Sequence, residues 1–354
     1  MNDTCHGTPP HLDCTWNTSI VMKSSRDGKV WSPMQNITRG HDFAVLFNRA
    51  THQLVLQYPS GPDKGSSMQM LSSSMRVGDL KPSTWGPPTR IHRLGACTGF
   101  NVGPGGGGVQ LRHSSTHRGR MVFCGHGNTD KSNSHQRVTC TWLSDDNGSS
   151  WQLTSMLEGF NECNLVEKTD GEIVLDSRNQ VGPTNPPSRS SCACRLAATS
   201  TDGGGSFGHP RMVTSLADSS CQGSMVADHR DTPIWYYTGP NVRHKGVPGV
   251  FPGTVSRRAN MTLSISESEG DRWTPLLQID PAESEYSSVT VVPRLDNTSA
   301  GLGNENDMLA IAWERDTKFT GDPRKCSGIC EIVLTLVRVS QLPMLISEHA
   351  QMAP

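Results

Sequence analysis

Ser144-Asp145-Asp146-Asn147-Gly148-Ser149-Ser150-Trp151 is the stretch whose reading decides the fold. Its frame is S-x-D-x-G-x-x-W, and the frame returns three times. Ser200-Thr201-Asp202-Gly203-Gly204-Gly205-Ser206-Phe207 keeps it with Phe for Trp. Ser266, Gly270 and Trp273 keep it with Ser268 in place of the Asp. Ser24, Gly28 and Trp31 keep it with Arg26 at the Asp position and Asp27 one place late. Each frame reads as a hairpin turn: the Asp accepts backbone N–H bonds, the Gly takes a positive φ, and the aromatic packs beneath. Strand-like residues precede two of the copies, Val138-Thr139-Cys140-Thr141-Trp142 and Met261-Thr262-Leu263-Ser264-Ile265.

The copies start at 24, 144, 200 and 266, which lie 120, 56 and 66 residues apart. A unit of roughly 50–60 residues suits a four-stranded propeller blade, with one copy lost in the first gap. Short apolar runs fill the intervals: Phe43-Ala44-Val45-Leu46-Phe47, Gln53-Leu54-Val55-Leu56-Gln57 and Met121-Val122-Phe123. No long amphipathic helix and no linker interrupts the pattern. The reading is an all-β chain, one propeller domain over residues 1–354.

Composition agrees. Gly 35 and Pro 23 in 354 residues punctuate many short elements. Lys+Arg 32 against Asp+Glu 33 gives a net charge of −1, so nothing points to nucleic acid as a partner. The longest apolar run, Ile332-Val333-Leu334-Thr335-Leu336-Val337, has strand length and is far short of a membrane helix. The 11 cysteines include close pairs at Cys192/Cys194 and Cys326/Cys330, but no second pair with nearby His completes a zinc set, and no cofactor pattern is present. Six Asn-x-Ser/Thr sequons (Asn2, Asn17, Asn36, Asn147, Asn260, Asn297) beside so many cysteines favour disulfides and the secretory pathway, lysosomal or extracellular. The polar start, with no signal segment, keeps a cytoplasmic or peripheral membrane location as the alternative.

The repeated frames resemble the Asp-boxes of the exo-α-sialidase (neuraminidase) family, closest in flavour to its animal-type members. The resemblance runs in register from about Ser19 to Ser340. Asn161-Glu162-Cys163-Asn164, followed by Asp176-Ser177-Arg178-Asn179-Gln180, is similar to the family stretch bearing a catalytic glutamate and one arginine of a carboxylate-binding triad. Arg258-Ala259-Asn260-Met261-Thr262-Leu263 is similar to the strand with a further triad arginine. Glu285-Tyr286-Ser287-Ser288-Val289 resembles the nucleophile segment, and Ala312-Trp313-Glu314-Arg315 the strand whose glutamate holds the first triad arginine. The resemblance implies a six-bladed β-propeller that hydrolyses terminal sialic acid from glycoproteins, oligosaccharides or gangliosides with retention. It assigns Tyr286, Glu162 and Asp13 to catalysis, and Arg178, Arg258 and Glu314 to substrate binding.

These residue types suit that chemistry. Sialic acid carries a carboxylate on its anomeric carbon, which planar guanidiniums grip bidentately. A carboxylate nucleophile would meet that charge at short range, whereas a neutral tyrosine does not. Its pKa of about 10 then demands a base such as Glu162 within hydrogen-bond reach. A separate acid must protonate the leaving oxygen, and Asp13 is the only acid at the matching place.

One departure stands out. The family's first triad arginine lies in a strand upstream of the acid, and the twelve residues before Asp13 contain no arginine. The expectation is therefore a propeller lacking its first strand, with Glu314 lacking its cation. The alternative function is a lectin-like propeller that binds sialic acid without turnover; retention of both Tyr286 and Glu162 favours the enzyme.

Overall fold

The computed structural model describes residues 5–6, 13–14, 19–25, 28–40, 43–60, 67–72, 85–93, 98–101, 107–128, 137–179, 194–228, 230–241, 258–292, 307–316 and 330–342. These are almost wholly antiparallel strands, with one 3-10 turn at Val339–Gln341.

The four frames are the turns between consecutive strands, and their bonds explain the residue choice. In the 144–151 turn, Asp146 Oδ1 accepts from Ser150 N at 2.9 Å and Ser144 Oγ at 2.8 Å, while Ser144 Oγ accepts from Gly148 N at 2.9 Å. Gly148 has φ 88°, a region costly for a side chain. Trp151 Nε1 closes the turn on Gly148 O at 3.1 Å. The 200–207 turn repeats this pattern through Asp202 and Gly204. In the 266–273 turn Ser268 Oγ replaces the Asp as acceptor of Arg272 N at 2.9 Å. The first copy departs further: Gly28 N bonds Ser25 Oγ, not Ser24. Arg26 and Asp27 lie outside the described residues.

Six sheets follow in chain order, here called blades 1 to 6. Blade 1 pairs Ser19–Met22 with Gln35–Arg39. Blade 2 runs Ala44–Asn48, Gln53–Ser60, Ser67–Ser72 and Thr89–Arg93. It fills the long gap between the first two frames, and residues 73–88 join its last two strands where a box would stand. Blade 3 is Gly108–Gln110, Met121–Asn128, Arg137–Ser144 and Gln152–Glu158, with Thr98–Asn101 alongside the second of these. Blade 4 is Phe160–Glu167, Ile173–Asn179, Cys194–Ser200 and Arg211–Ala217. Blade 5 is Ser224–Ala227, Trp235–Pro240 and Ala259–Ser266, completed by the first half of the 19-residue strand Thr274–Val292. The second half of that strand opens blade 6, pairing Ser288 with Ala312 in Met308–Asp316, which in turn pairs with Cys330–Arg338.

The core lies between blades. Ile20 meets Leu56 and Tyr58 between blades 1 and 2. Leu46 and Val55 meet Phe123 and Trp142 between 2 and 3. Val122 and Cys124 meet Cys163 and Leu165 between 3 and 4, where Cys124–Cys163 is a disulfide. Val174 meets Trp235 and Trp273 between 4 and 5, and Leu263 meets Leu309 and Ile311 between 5 and 6. A Cβ placed on Gly28 would sit 2.6 Å from Leu336 Cδ1, so blade 6 touches blade 1 and the ring closes. The fold is a β-propeller.

Candidate functional site

Phe160–Glu167, the first strand of blade 4, is buried at every position. A polar residue there costs stability unless it is bonded, and three of the strand's polar side chains have clear partners. Glu167 accepts the backbone N–H groups of Arg112, His113 and Ser114 at 2.5, 2.9 and 2.9 Å. Asn164 donates to Gly223 O at 2.8 Å and to Asp176 at 3.3 Å. Glu162, at the other end of the strand and 5% exposed, faces the site.

One Glu162 oxygen accepts the Tyr286 hydroxyl at 2.6 Å; the other accepts Arg178 Nη1 at 3.0 Å. Tyr286 comes from blade 6 and Arg178 from the strand beside Glu162, so the trio bridges blades 4 and 6. Arg258, just before the third strand of blade 5, lies 5.5 Å from the Tyr286 ring centroid. It donates to Glu285 at 2.8 Å and to Ser220 O at 2.7 Å. Glu314, on the neighbouring strand of blade 6, accepts Tyr286 N at 3.4 Å and makes no ion pair among the described residues. Asp13 lies on a two-residue strand paired with Cys5–His6, and its side chain is outside the described residues.

Charges settle the proton's place. Burial alone would push the Glu162 carboxyl up, but the Arg178 guanidinium, His126 and the Tyr286 hydroxyl hold it below its ordinary value. Burial, and then the Glu162 carboxylate, push the Tyr286 phenol above its ordinary value. The proton therefore rests on Tyr286, aimed at an ionised carboxylate. When an electrophile reaches the phenol oxygen, the proton can pass to Glu162 as the new bond forms. Burial also raises the Glu314 carboxyl, helped by Glu285 and Glu162. Arg178 Nε is buried without a hydrogen bond, a donor left for a ligand.

Sequence reading missed two residues here. His126 and Arg137, both on blade 3, act electrostatically on Glu162. Arg137 opens the third strand of its blade and Arg258 stands just before the third strand of blade 5, and a basic residue at that end of the strand ahead of a box turn is the signal that could have found it.

The family model described as the BNR repeat-like domain matches residues 16–296. The chain belongs to this family. Sialidases are among the proteins this chain is similar to. The sialidase of Micromonospora viridifaciens is 24% identical over 336 residues, 87% of this chain and 49% of that protein. Among solved structures, the Hadza microbial sialidase Hz136 superposes with TM-score 0.61 at 19% identity, over 84% of this chain and 57% of that one. Trypanosoma rangeli sialidase, solved with 2,3-difluorosialic acid as a covalent intermediate, gives TM-score 0.61 at 16% identity, over 95% and 52%. The likenesses to solved structures show a shared fold, and the chain spans about half the length of the relatives it matches.

Proposed function

We propose that this chain is a retaining exo-α-sialidase acting on terminal sialic acid of glycoproteins, oligosaccharides or glycolipids. The observation that carries the reading is the 2.6 Å bond from the Tyr286 hydroxyl to a Glu162 carboxylate already held by Arg178. Arg178 and Arg258 take the sugar's carboxylate, which sits on the carbon that Tyr286 attacks. The phenol oxygen forms the bond to that carbon, Glu162 takes the phenolic proton, and the aglycone oxygen leaves with a proton from a separate acid, assigned to Asp13. Water then reverses the step and frees sialic acid with the starting configuration. Glu314, which accepts the Tyr286 backbone N–H, keeps the substrate-binding place that the resemblance assigns it. The Cys124–Cys163 disulfide supports an oxidising compartment, and so a secreted or lysosomal location.

Incubation with 2,3-difluorosialic acid, followed by proteolysis and mass spectrometry, tests the mechanism. A sialyl adduct on the Tyr286 peptide, absent in Tyr286→Phe, supports it. Binding of sialic acid without adduct or turnover would leave a lectin-like propeller instead.

A further inference from the structure

The connector from blade 4 to blade 5, residues 218–223, is buried along its whole length. Loops ordinarily stay at the surface, because buried backbone polar groups must find partners. Here those partners lead to the two arginines of the site. One Asp218 oxygen accepts the backbone N–H of Asn179, the residue directly after Arg178, at 2.5 Å. The other accepts Ser220 N at 2.7 Å. Ser220 has φ 54°, a left-handed conformation that costs energy in a residue with a side chain. Its carbonyl, so turned, accepts Arg258 Nη2 at 2.7 Å. A continuous path therefore runs from the backbone beside Arg178, through the Asp218 carboxylate, to the Arg258 guanidinium.

Arg195 holds the next residue of the connector. It is 0% exposed, pairs with Asp176 through Nε at 3.2 Å and Nη2 at 2.6 Å, and donates from Nη1 to Cys221 O at 2.8 Å. Asp176 stands two residues before Arg178 on one strand, and so on the same face. An ion pair buried this deeply does little for stability compared with apolar side chains of its size. What it supplies is direction: the planar fork fixes the Cys221 carbonyl, and with it the turn at Ser220. The second acceptor of Arg258, Glu285, is 38% exposed, so the Ser220 carbonyl is the buried anchor. Those two bonds use two of the five guanidinium N–H groups and leave three to meet a carboxylate. Two arginines grip one carboxylate only if their separation and angle are set beforehand.

We infer that Asp218 is a positioning residue that sets Arg258 relative to Arg178, through its paired bonds to Asn179 N and Ser220 N. It works through the backbone on either side. This rests on the sialidase reading above and adds a residue to it.

The test measures equilibrium binding of sialic acid and of its methyl ester, with KM and kcat on a fluorogenic sialoside. Wild type should prefer the acid by about tenfold or more, the worth of charge-assisted bonds to the arginines. In Asp218→Asn the amide keeps one acceptor oxygen and turns a donor on the other N–H. That variant should lose about tenfold toward the acid and little toward the ester, with KM raised more than kcat is lowered. Arg195→Lys keeps a charge beside Asp176 but not the Cys221 bond, and should show the same selective loss; it carries the test if Asp218→Asn does not fold. In an Arg258→Lys background Asp218→Asn should add little, because both act on one contact. Asp202→Asn, which removes the acceptor of a distant box turn, should lower the melting temperature and leave both affinities alone. Equal weakening toward acid and ester, an undiminished preference for the acid, or full additivity with Arg258→Lys would each overturn the inference. A wild type that cleaves sialosides yet does not prefer the acid overturns this inference alone. If wild type neither binds nor cleaves, the sialidase reading fails first and this inference with it.

Discussion

Glu162→Gln isolates the proton-accepting role at the centre of the site. The carboxylate receives two donors, Tyr286 Oη at 2.6 Å and Arg178 Nη1 at 3.0 Å, and no room need be made for an amide of the same size. The amide oxygen can keep the Arg178 bond, and the amide nitrogen can donate to the phenol oxygen. Both partners stay satisfied, but the phenol has lost the base that takes its proton. Loss of a positioned general base costs roughly 10²–10⁴-fold in turnover. The Tyr286 bond becomes neutral and the Arg178 bond keeps only its charged donor, which costs about 1–3 kcal/mol of stability. The assay is kcat and KM on a fluorogenic sialoside beside a thermal melt of the same preparation. The expected result is a fall in kcat of at least about a hundredfold, a small change in KM, and a melt lower by a few degrees. Glu162→Asp should fare no better, because withdrawing the carboxylate by one bond, ~1.5 Å, opens the phenol contact beyond hydrogen-bond range. Combined with Tyr286→Phe, either change should add little, since the pair acts as a unit. Turnover within tenfold of wild type in a folded Glu162→Gln protein would refute the reasoning.

Further outcomes follow from the same geometry. Arg178→Lys and Arg258→Lys should each raise KM for sialosides strongly, because a point charge cannot replace the planar fork, while Arg257→Lys should be nearly silent in the same kinetic assay. Arg257 lies outside the described residues, so a sensitive Arg257 would shift the assignment by one. Glu314 is raised above 4.5, so the folded chain holds its proton more tightly than the unfolded one, and stability falls as pH rises through the window above that value. Glu314→Gln should therefore raise the melting temperature at pH 7 and leave it unchanged near pH 4; an equal gain at both would contradict the burial argument. Gly223→Ala should cost about 1–3 kcal/mol by denaturant titration, because the new Cβ would stand 2.1 Å from the Tyr237 hydroxyl in a packed interior. Gly208→Ala, whose Cβ meets only Thr199 O at 3.5 Å, is the control expected to change little.

The box turns were legible in the sequence because their bonds are local. Asp146 reaches Ser144 and Ser150, and Ser200 reaches Gly204, all within four residues, so residue order alone specifies the turn. Even the degraded 266–273 copy works, since Ser268 supplies the oxygen its missing Asp would have given. The turns then fix strand pairs, and their recurrence fixes blades. Where the local bonds changed, so did the reading: the first copy leans on Ser25, a shift that spacing could not reveal.

The site belongs to the tertiary structure. Glu162 and Tyr286 are 124 residues apart, and only a closed ring of blades brings a 2.6 Å bond across that separation. The family resemblance could nominate both residues, but not the proton's position, which follows from burial and the Arg178 charge. Arg137 shows the limit most clearly. In sequence it is one more basic residue at the start of a strand, and only its place ahead of a box turn marks it. Its meaning comes from Thr139 touching Asn161 and from blade 3 lying against blade 4. Short-range hydrogen bonds are encoded by neighbours along the chain; electrostatic fields and unpaired donors depend on groups that meet only after the ring has closed.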